Sequence, residues 1–294
     1  MNALSVGDAG VAAGALRWWR APAKLNLCLH VVGRRADGYH ELQTVFQLID
    51  LCDLLAFEVD PMGGITRVDD DAAAPGALAA VAVDDDLTVR AARKLQVASG
   101  TPLGVRIRVR KRIPMGGGLG GGSSDAATAL RVLDRLWGTG LGTDALAALG
   151  LGLGADVPLF VRGRSAVGEG VGERLTPVDL PPGWFLVIHP GVSVPTRDIF
   201  QAAELRRDSP RLTVPQLLAG PGHNDCEPVV RARVREVAEA LDWLGRHAPA
   251  RLTGTGSCLF AAFDSAAAAE RVAGRVPDRW RAWVAQGLAA SPDP

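Results

Sequence analysis

The stretch PMGGGLGGGSS, Pro114 to Ser124, sets six glycines among eleven residues. Directly before it, GVRIRVRKRI alternates Val105, Ile107 and Val109 with Arg106, Arg108 and Arg110, which predicts a strand with one buried and one wet face. Beyond it, Ala126, Leu130, Leu133 and Trp137 recur at helical spacing, with Gly138 as a stop. Ser123, Ser124 and Asp125 are N-cap residue types at the head of that helix. A linker separates composition changes, whereas this run joins a strand to a helix. The chemistry it suits is phosphate binding. Unpaired amides at a helix N-terminus attract anions, and glycines let those amides converge on a ligand.

The usual phosphate loops fit poorly. A Walker A loop needs Gly-Lys-Ser/Thr, and the chain has no Gly-Lys pair. Gly116, Gly118 and Gly121 match G-x-G-x-x-G, but the strand before them is Arg-striped, and no acid ends a strand about 20 residues later. H-R-D and D-F-G are also absent.

The rest of the chain must position this loop. LNLCLHVV (25–32) predicts a strand, with Asn26, Cys28 and His30 on one face and apolar residues on the other. Asp37-Gly38 marks a turn, after which ELQTVFQLIDLCDLLAFEV reads as extended. Residues 60–86 read as a surface excursion, and a helix is expected from Leu87 to about Ser99. A short helix follows at 143–149, then GLGLGADVPLFVRG as a glycine turn leading into a short apolar strand. In the second half WFLVIHPG predicts a buried strand. Residues 228–247 predict one amphipathic helix capped by Asn224 or Asp225. RLTGTGSCLFAAF predicts a turn and strand, followed by a helix at 265–275 and a strand near 280–286. The pattern is α+β with mixed or antiparallel sheets flanked by helices.

The bulk numbers exclude several classes. The chain has 294 residues and a formal net charge of zero, so no global field favours nucleic acid or an anionic membrane. No apolar run reaches the ~20 residues of a bilayer span, and MNALSVGDAGVAAGALRWWR lacks a signal peptide's basic start. Cys28, Cys52, Cys226 and Cys258 form no C-x-x-C pair and read as reduced, buried thiols of a cytoplasmic protein. Basic residues are almost all Arg; Lys24, Lys94 and Lys111 are the only lysines.

The glycine loop resembles motif two of the GHMP kinases, in which a glycine and serine loop wraps the phosphates of ATP. PAKLNLCLHVVGRRADGYHELQTVFQ, LGADVPLFVRG, HPGVSVPT, NDCEPVV and RLTGTGSCLF resemble, in the same order, the GHMP kinases that act on 4-diphosphocytidyl-2-C-methyl-D-erythritol. The resemblance runs along nearly the whole chain from Ala21. It implies a two-domain GHMP fold: a variable extension at 1–20, an ATP-binding domain at 21–163 and a substrate-contributing domain at 164–294. It also implies phosphorylation of a 2-hydroxyl on the route to isoprenoids, with ATP and Mg²⁺. The expected partner is the small cytidine-diphospho-methylerythritol, with no nucleic acid and no membrane, on a monomer or weak homodimer.

Site roles follow from the resemblance, each beside a plainer reading. Pro114, Met115, Gly116, Gly117, Gly118, Leu119, Gly120, Gly121, Gly122, Ser123 and Ser124 would hold ATP, the two serines near the triphosphate and its Mg²⁺. Asp156 would be the catalytic base; an ordinary turn Asp is the alternative, but its uncharged neighbours Ala155, Val157 and Pro158 suggest a cleft. Lys24 would pair with Asp156 and offset charge on the phosphoryl oxygens, the alternative being a solvated strand-end lysine. Asn26 shares the face of Lys24 and would touch the methylerythritol part. Tyr39, the one tyrosine, and Phe200 would stack the cytosine from opposite faces, His40 would read its edge, and Thr196 would add a polar contact. Tyr39 and Phe200 are otherwise rings covering neighbouring elements. Thr253–Ser257 resembles motif three and would close the site opposite the glycine loop; it is also a simple turn. Arg112, next to the loop, is a further candidate for phosphate. A different GHMP acceptor, or a catalytically silent nucleotide sensor, stays open at this point. Base stacking argues against the first, and retention of Lys24 with Asp156 against the second.

Overall fold

The computed structural model describes residues 16–69, 81–220 and 222–292. Its organising element is β2 (His40–Asp60), a strand of 21 residues. One edge of β2 pairs antiparallel along β1 (Trp18–Arg34). Its other edge is shared by three partners in succession: β5 (Ala166–Gly170) at Leu42–Phe46, β10 (Arg281–Leu288) at Leu48 and Ile49, and β4 (Gly104–Arg110) at Leu54–Asp60. A strand of this length spans roughly 70 Å, enough to serve all three.

The main sheet path is β3-β4-β2-β10-β7-β9-β8. Here β3 is Ile65–Asp69, β7 Trp184–His189, β8 Ala250–Leu252 and β9 Leu259–Phe263; β6 (Arg174–Pro177) lies off the path on β5. Only the β3–β4 ladder is parallel among the described strand pairs, so the mixed, mostly antiparallel α+β expectation holds.

Helices α1 (Leu87–Ser99), α2 (Gly121–Leu136), α3 (Gly142–Leu151) and α4 (Val157–Arg162) pack with β2 and β4 around Leu55, Ile107, Leu130 and Leu133. The alternation read in β4 is realised: Val105, Ile107 and Val109 are buried, while Arg106 is exposed. Helices α5 (Thr196–Gln201), α6 (Val214–Ala219), α7 (Glu227–Arg233), α8 (Arg235–Gly245) and α9 (Ala266–Ala273) belong to the second half. Its core gathers Leu186, Ile188, Val230, Leu241 and Leu259. A third cluster, including Leu25, Ile49, Ile113, Leu119, Val187 and Phe260, draws on both halves and stitches them together.

Several expectations are corrected. VPLFVR is the helix α4 rather than a strand, with Pro158 in its first turn, where a missing N–H costs nothing. The helix expected at 228–247 is broken into α7 and α8 at Val234, whose backbone is extended. Asn224 and Asp225 do not cap it. Asn224 instead holds the Leu252 and Gly254 carbonyls, and buried Asp225 accepts from Val31 N–H and Ser209. The excursion at 60–86 contains β3; residues 70–80 lie outside the described set. Of the expected extension, residues 1–15 also lie outside it, and Trp18–Arg20 already belong to β1. Strand β5 pairs with β2 and β6 with β5, so β2 takes strands from beyond residue 163 into its sheet. In β1 the clean alternation fails because bulges shift the register at Asn26/Cys28 and Val31/Gly33. No helix among the described residues is long and apolar enough to cross a membrane.

Candidate active site

The glycine loop leaves β4 and enters α2. Its conformation depends on glycine at two places. Gly118 has φ +76°, and a Cβ there would lie 2.4 Å from the Thr253 carbonyl oxygen. Gly120 has φ +73°, and its Cβ would meet the Phe160 ring at 2.9 Å and Lys24 Cγ at 3.2 Å. No side chain fits in either space. Backbone bonds tie the loop down on both sides: Lys24 N–H donates to Leu119 O at 3.0 Å, and Cys258 N–H to Gly117 O at 3.1 Å. The turn Thr253–Ser257 thus packs directly against the loop.

Helix α2 starts at Gly121, with Gly120 before it and no side-chain cap. The expectation that Ser123, Ser124 and Asp125 cap it is therefore corrected; all three lie inside the helix. The first-turn amides remain free of side-chain acceptors and face a cavity of about 400 Å³ lined by Pro114–Ser123 with Asp85–Thr88, Lys111 and Asp125. Ser124 is buried, is not part of that wall, and its hydroxyl has no hydrogen-bond partner among the described residues.

Beneath this cavity, buried Lys111 bridges two buried carboxylates: it pairs with Asp53 and reaches Asp125 at 2.7 Å. Asp53 also accepts from the N–H groups of Arg112 and Ile113. Burial alone would lower the Lys111 pKa, but the charges of Asp125 and Asp53 outweigh it and raise the pKa above the ordinary lysine value. Burial, with the Asp53 charge behind it, pushes Asp125 up to about 8 although Lys111 opposes the shift. Sequence reasoning missed this cluster. Lys111 stood out only as one of three lysines, and Asp53 is hidden in an extended apolar run. Arg112 does not line the cavity; its side chain is exposed.

A second cavity, of about 260 Å³, contains Lys24, Asn26, Thr44, Asp156, Thr196 and Thr255 and shares Gly118 and Ser123 with the first. Lys24 is buried on β1. Its Nζ donates to Asn26 Oδ1 at 2.5 Å and stands 3.5 Å from Asp156 Oδ2. Asp156 comes from the turn immediately before α4 and keeps 29% of its side chain exposed. Asn26 is fixed by Thr44, to which its Nδ2 donates at 2.8 Å, and its N–H donates to Thr253 Oγ1 at 2.9 Å. Residues far apart in sequence therefore bring an ammonium and an accessible carboxylate to the border of the glycine-loop cavity. Such a pair can take a hydroxyl proton and stabilise developing negative charge.

The third cavity, about 740 Å³, continues from the second through Leu42, Ala155, Val171, Thr196 and Phe200. Tyr39, 64% exposed, stands on its wall with His40 and Arg197. The Thr196 hydroxyl is 2.9 Å from that of Thr255. Phe200 is not a bare wall facing Tyr39: the His40 ring stacks on it, with centroids 5.1 Å apart and planes at 26°. Burial, then the charges of Arg207 and Arg34, lower the His40 pKa.

Cysteine chemistry has no place here. All four thiols are free and buried, and burial pushes Cys28 to about 11 and Cys226 to about 12, so these two stay protonated and unreactive. No cluster of three or more metal-ligating side chains exists among the described residues.

The chain is similar to known proteins along most of its length. The model of the GHMP kinases N terminal domain matches residues 86–164, and that of the GHMP kinases C terminal domain matches residues 211–282. A protein of Alkalilimnicola ehrlichii named 4-diphosphocytidyl-2-C-methyl-D-erythritol kinase is 58% identical over 94% of this chain and 92% of its own length. One of Halorhodospira halophila with the same name is 56% identical over 93% and 94%. A crystal structure of 4-(cytidine 5'-diphospho)-2C-methyl-D-erythritol kinase superposes with a TM-score of 0.80 at 36% identity, covering 92% of this chain and 99% of that one. The mevalonate kinase of L. major, solved in complex with R-mevalonate, shares the fold alone, at 14% identity and a TM-score of 0.67 over 94% of this chain and 97% of that one.

Proposed function

Because this chain belongs to the 4-diphosphocytidyl-2-C-methyl-D-erythritol kinases within the GHMP kinases, we propose that it transfers the γ-phosphoryl group of ATP to the 2-hydroxyl of that substrate, with Asp156 and Lys24 at the reacting centre. The step belongs to the methylerythritol phosphate pathway of isoprenoid precursor synthesis. The observation that carries the reading is the chain of three cavities. The glycine-loop cavity and the Lys24–Asp156 cavity share Gly118 and Ser123, and the latter opens into the Tyr39–His40–Phe200 cavity.

In this reading the triphosphate lies against the amides of Pro114–Ser123 and the N-terminus of α2. The nucleoside end extends toward Asp86–Thr88, which share that wall. The substrate's hydroxyl stands beside Asp156, which accepts its proton as the phosphoryl group arrives. Lys24 holds the hydroxyl in line and neutralises charge on the equatorial oxygens. Asn26, clamped by Thr44 and Thr253, orients the ammonium and touches the erythritol. Phosphoryl transfer asks little more of a protein than such positioning and charge stabilisation. The cytosine stacks at Tyr39 and Phe200, with His40 at its edge and Thr196 between base and sugar.

Magnesium fits this donor set in a limited way. It keeps most of its ligands as phosphate and water oxygens and takes one or two from the protein. The hydroxyl of Ser123, on the wall of both inner cavities, would supply one. When bound, the ion neutralises the phosphates. The protein acts in the cytoplasm on a diffusible small molecule, not on nucleic acid or a membrane, as a monomer or weak homodimer. The test is incubation with ATP, Mg²⁺ and the cytidylyl substrate, followed by phosphorus NMR. A new phosphomonoester signal and substrate-dependent ADP are expected; the absence of both overturns the reading.

A further inference from the structure

Arg207, in the segment after α5, makes four hydrogen bonds with one side chain. Its Nε donates to His40 Nε2 at 3.1 Å, Nη1 to Leu205 O at 2.9 Å, and Nη2 to Phe200 O at 3.0 Å and Ala202 O at 2.6 Å. Three of these acceptors belong to the end of α5 and the turn beyond it. The fourth belongs to the first residue of β2. The guanidinium therefore ties together two elements of the outermost cavity wall, whose members include His40 and Phe200 but not Arg207.

The bond to His40 constrains its chemistry. A guanidinium has donors only and does not lose its proton in proteins. Nε2 must therefore present its lone pair, so the ring is neutral with its proton on Nδ1. An imidazolium would have no lone pair to offer, and its charge would face that of Arg207. Free imidazole side chains in water favour the opposite tautomer, so the protein selects the minor one. The same guanidinium holds the Phe200 carbonyl while the Phe200 ring stacks on His40, which makes the two rings one rigid unit.

We propose that Arg207 is a positioning residue for base recognition: it fixes His40 as the Nδ1–H tautomer and locks Phe200 against it. The ring's one N–H, on a residue that lines the cavity, is then the donor available to an acceptor on a pyrimidine edge. This rests on reading that cavity as the cytidine site. Cytosine carries an acceptor at its ring N3 where uracil carries a donor, so a fixed donor selects cytosine and leaves uracil facing an unpaired group.

The proposal is tested first on the full-length wild-type chain. Long-range proton–nitrogen NMR of ¹⁵N-histidine-labelled protein, with the His40 signals assigned through His40→Gln, should show a bare Nε2 and a protonated Nδ1. Arg207→Lys, which removes the planar fork, should then raise KM for the cytidylyl substrate about tenfold. It should leave kcat and KM for ATP within about twofold, and the preference over a uridylyl analogue should shrink. An Nε2–H tautomer in the wild type, or an unchanged KM in the variant, overturns the proposal. A fall in kcat without a change in KM or base preference also overturns it, because that describes loop stability alone. If Arg207→Lys does not fold, the wild-type tautomer decides. If the wild type does not turn over the cytidylyl substrate, the functional reading fails, and the NMR spectrum still reports on Arg207.

Discussion

Two lysines flank the same glycine loop and face carboxylates in opposite ways. Lys111 sits between Asp53 and Asp125 in a buried cluster with short contacts, and backbone N–H groups take up more of Asp53. Lys24 has one close contact, Asn26 at 2.5 Å, and a looser one to Asp156 at 3.5 Å, and that carboxylate remains partly open. The first arrangement spends its charge internally and holds β2, the end of β4 and α2 in register. The second leaves charge unspent at a cavity. The same chemical pair thus acts as a clamp when closed, and when left open it is the pair to which the proposed function gives the reacting centre.

Substitution should separate the two. The largest expected effect is Asp156→Asn, which should lower kcat about 10³-fold, the range for loss of a general base, while ATP affinity and thermal stability stay near wild type. Steady-state turnover with calorimetric ATP binding checks this, and wild-type turnover would remove Asp156 from the chemistry. Next comes Lys111→Met, which strands two buried carboxylates and should cost about 3 kcal/mol of stability. Urea unfolding measures it; a loss of turnover with unchanged stability would make Lys111 a second reacting group and dissolve the contrast.

The smallest effect is a pH slope. Because folding raises the Asp125 pKa from 3.8 to about 8, the folded chain binds more protons than the unfolded one between those values. The contribution of this group to stability is complete below about 4 and is lost as pH climbs toward 8. Asp125→Asn should therefore flatten the change in unfolding midpoint between pH 5 and pH 8. An identical slope in both proteins would mean that Asp125 is ionised throughout.

The open pair was the more legible of the two in sequence. Lys24 and Asp156 sit in short segments whose neighbours resemble a known family, so the two are singled out together in sequence, and the structure sets them 3.5 Å apart. The closed pair was hidden because its acid, Asp53, lies 58 residues from its lysine within LLAFEV-like apolar sequence. Only the pairing of β2 with β4 brings them together. Local errors have similar causes. VPLFV is a short apolar run that periodicity cannot assign to strand or helix. The break at Val234 leaves the apolar stripe of Val230, Val237 and Leu241 unbroken, so the pattern reads as one helix. Tyr39, His40 and Phe200 do line one cavity, but the stacking of His40 on Phe200 and the Arg207 side chain that bonds to His40 are marked by no motif.

The close approach of Gly118 to the Thr253 carbonyl also bears on when activity arises in the life of the chain. The contacts that seal the phosphate loop, such as Thr253 Oγ1 to Gly118 O and Asn26 N–H to Thr253 Oγ1, join residues 135 and 227 positions apart. Closing such distances is slow compared with forming a helix or hairpin. A nascent chain emerging as far as α4 carries the glycine loop, Lys24 and Asp156 but has no Thr253 to brace them. Part of the glycine loop's bracing therefore comes only with the chain's final quarter, so its full set of supporting contacts is among the last parts of the fold that synthesis supplies.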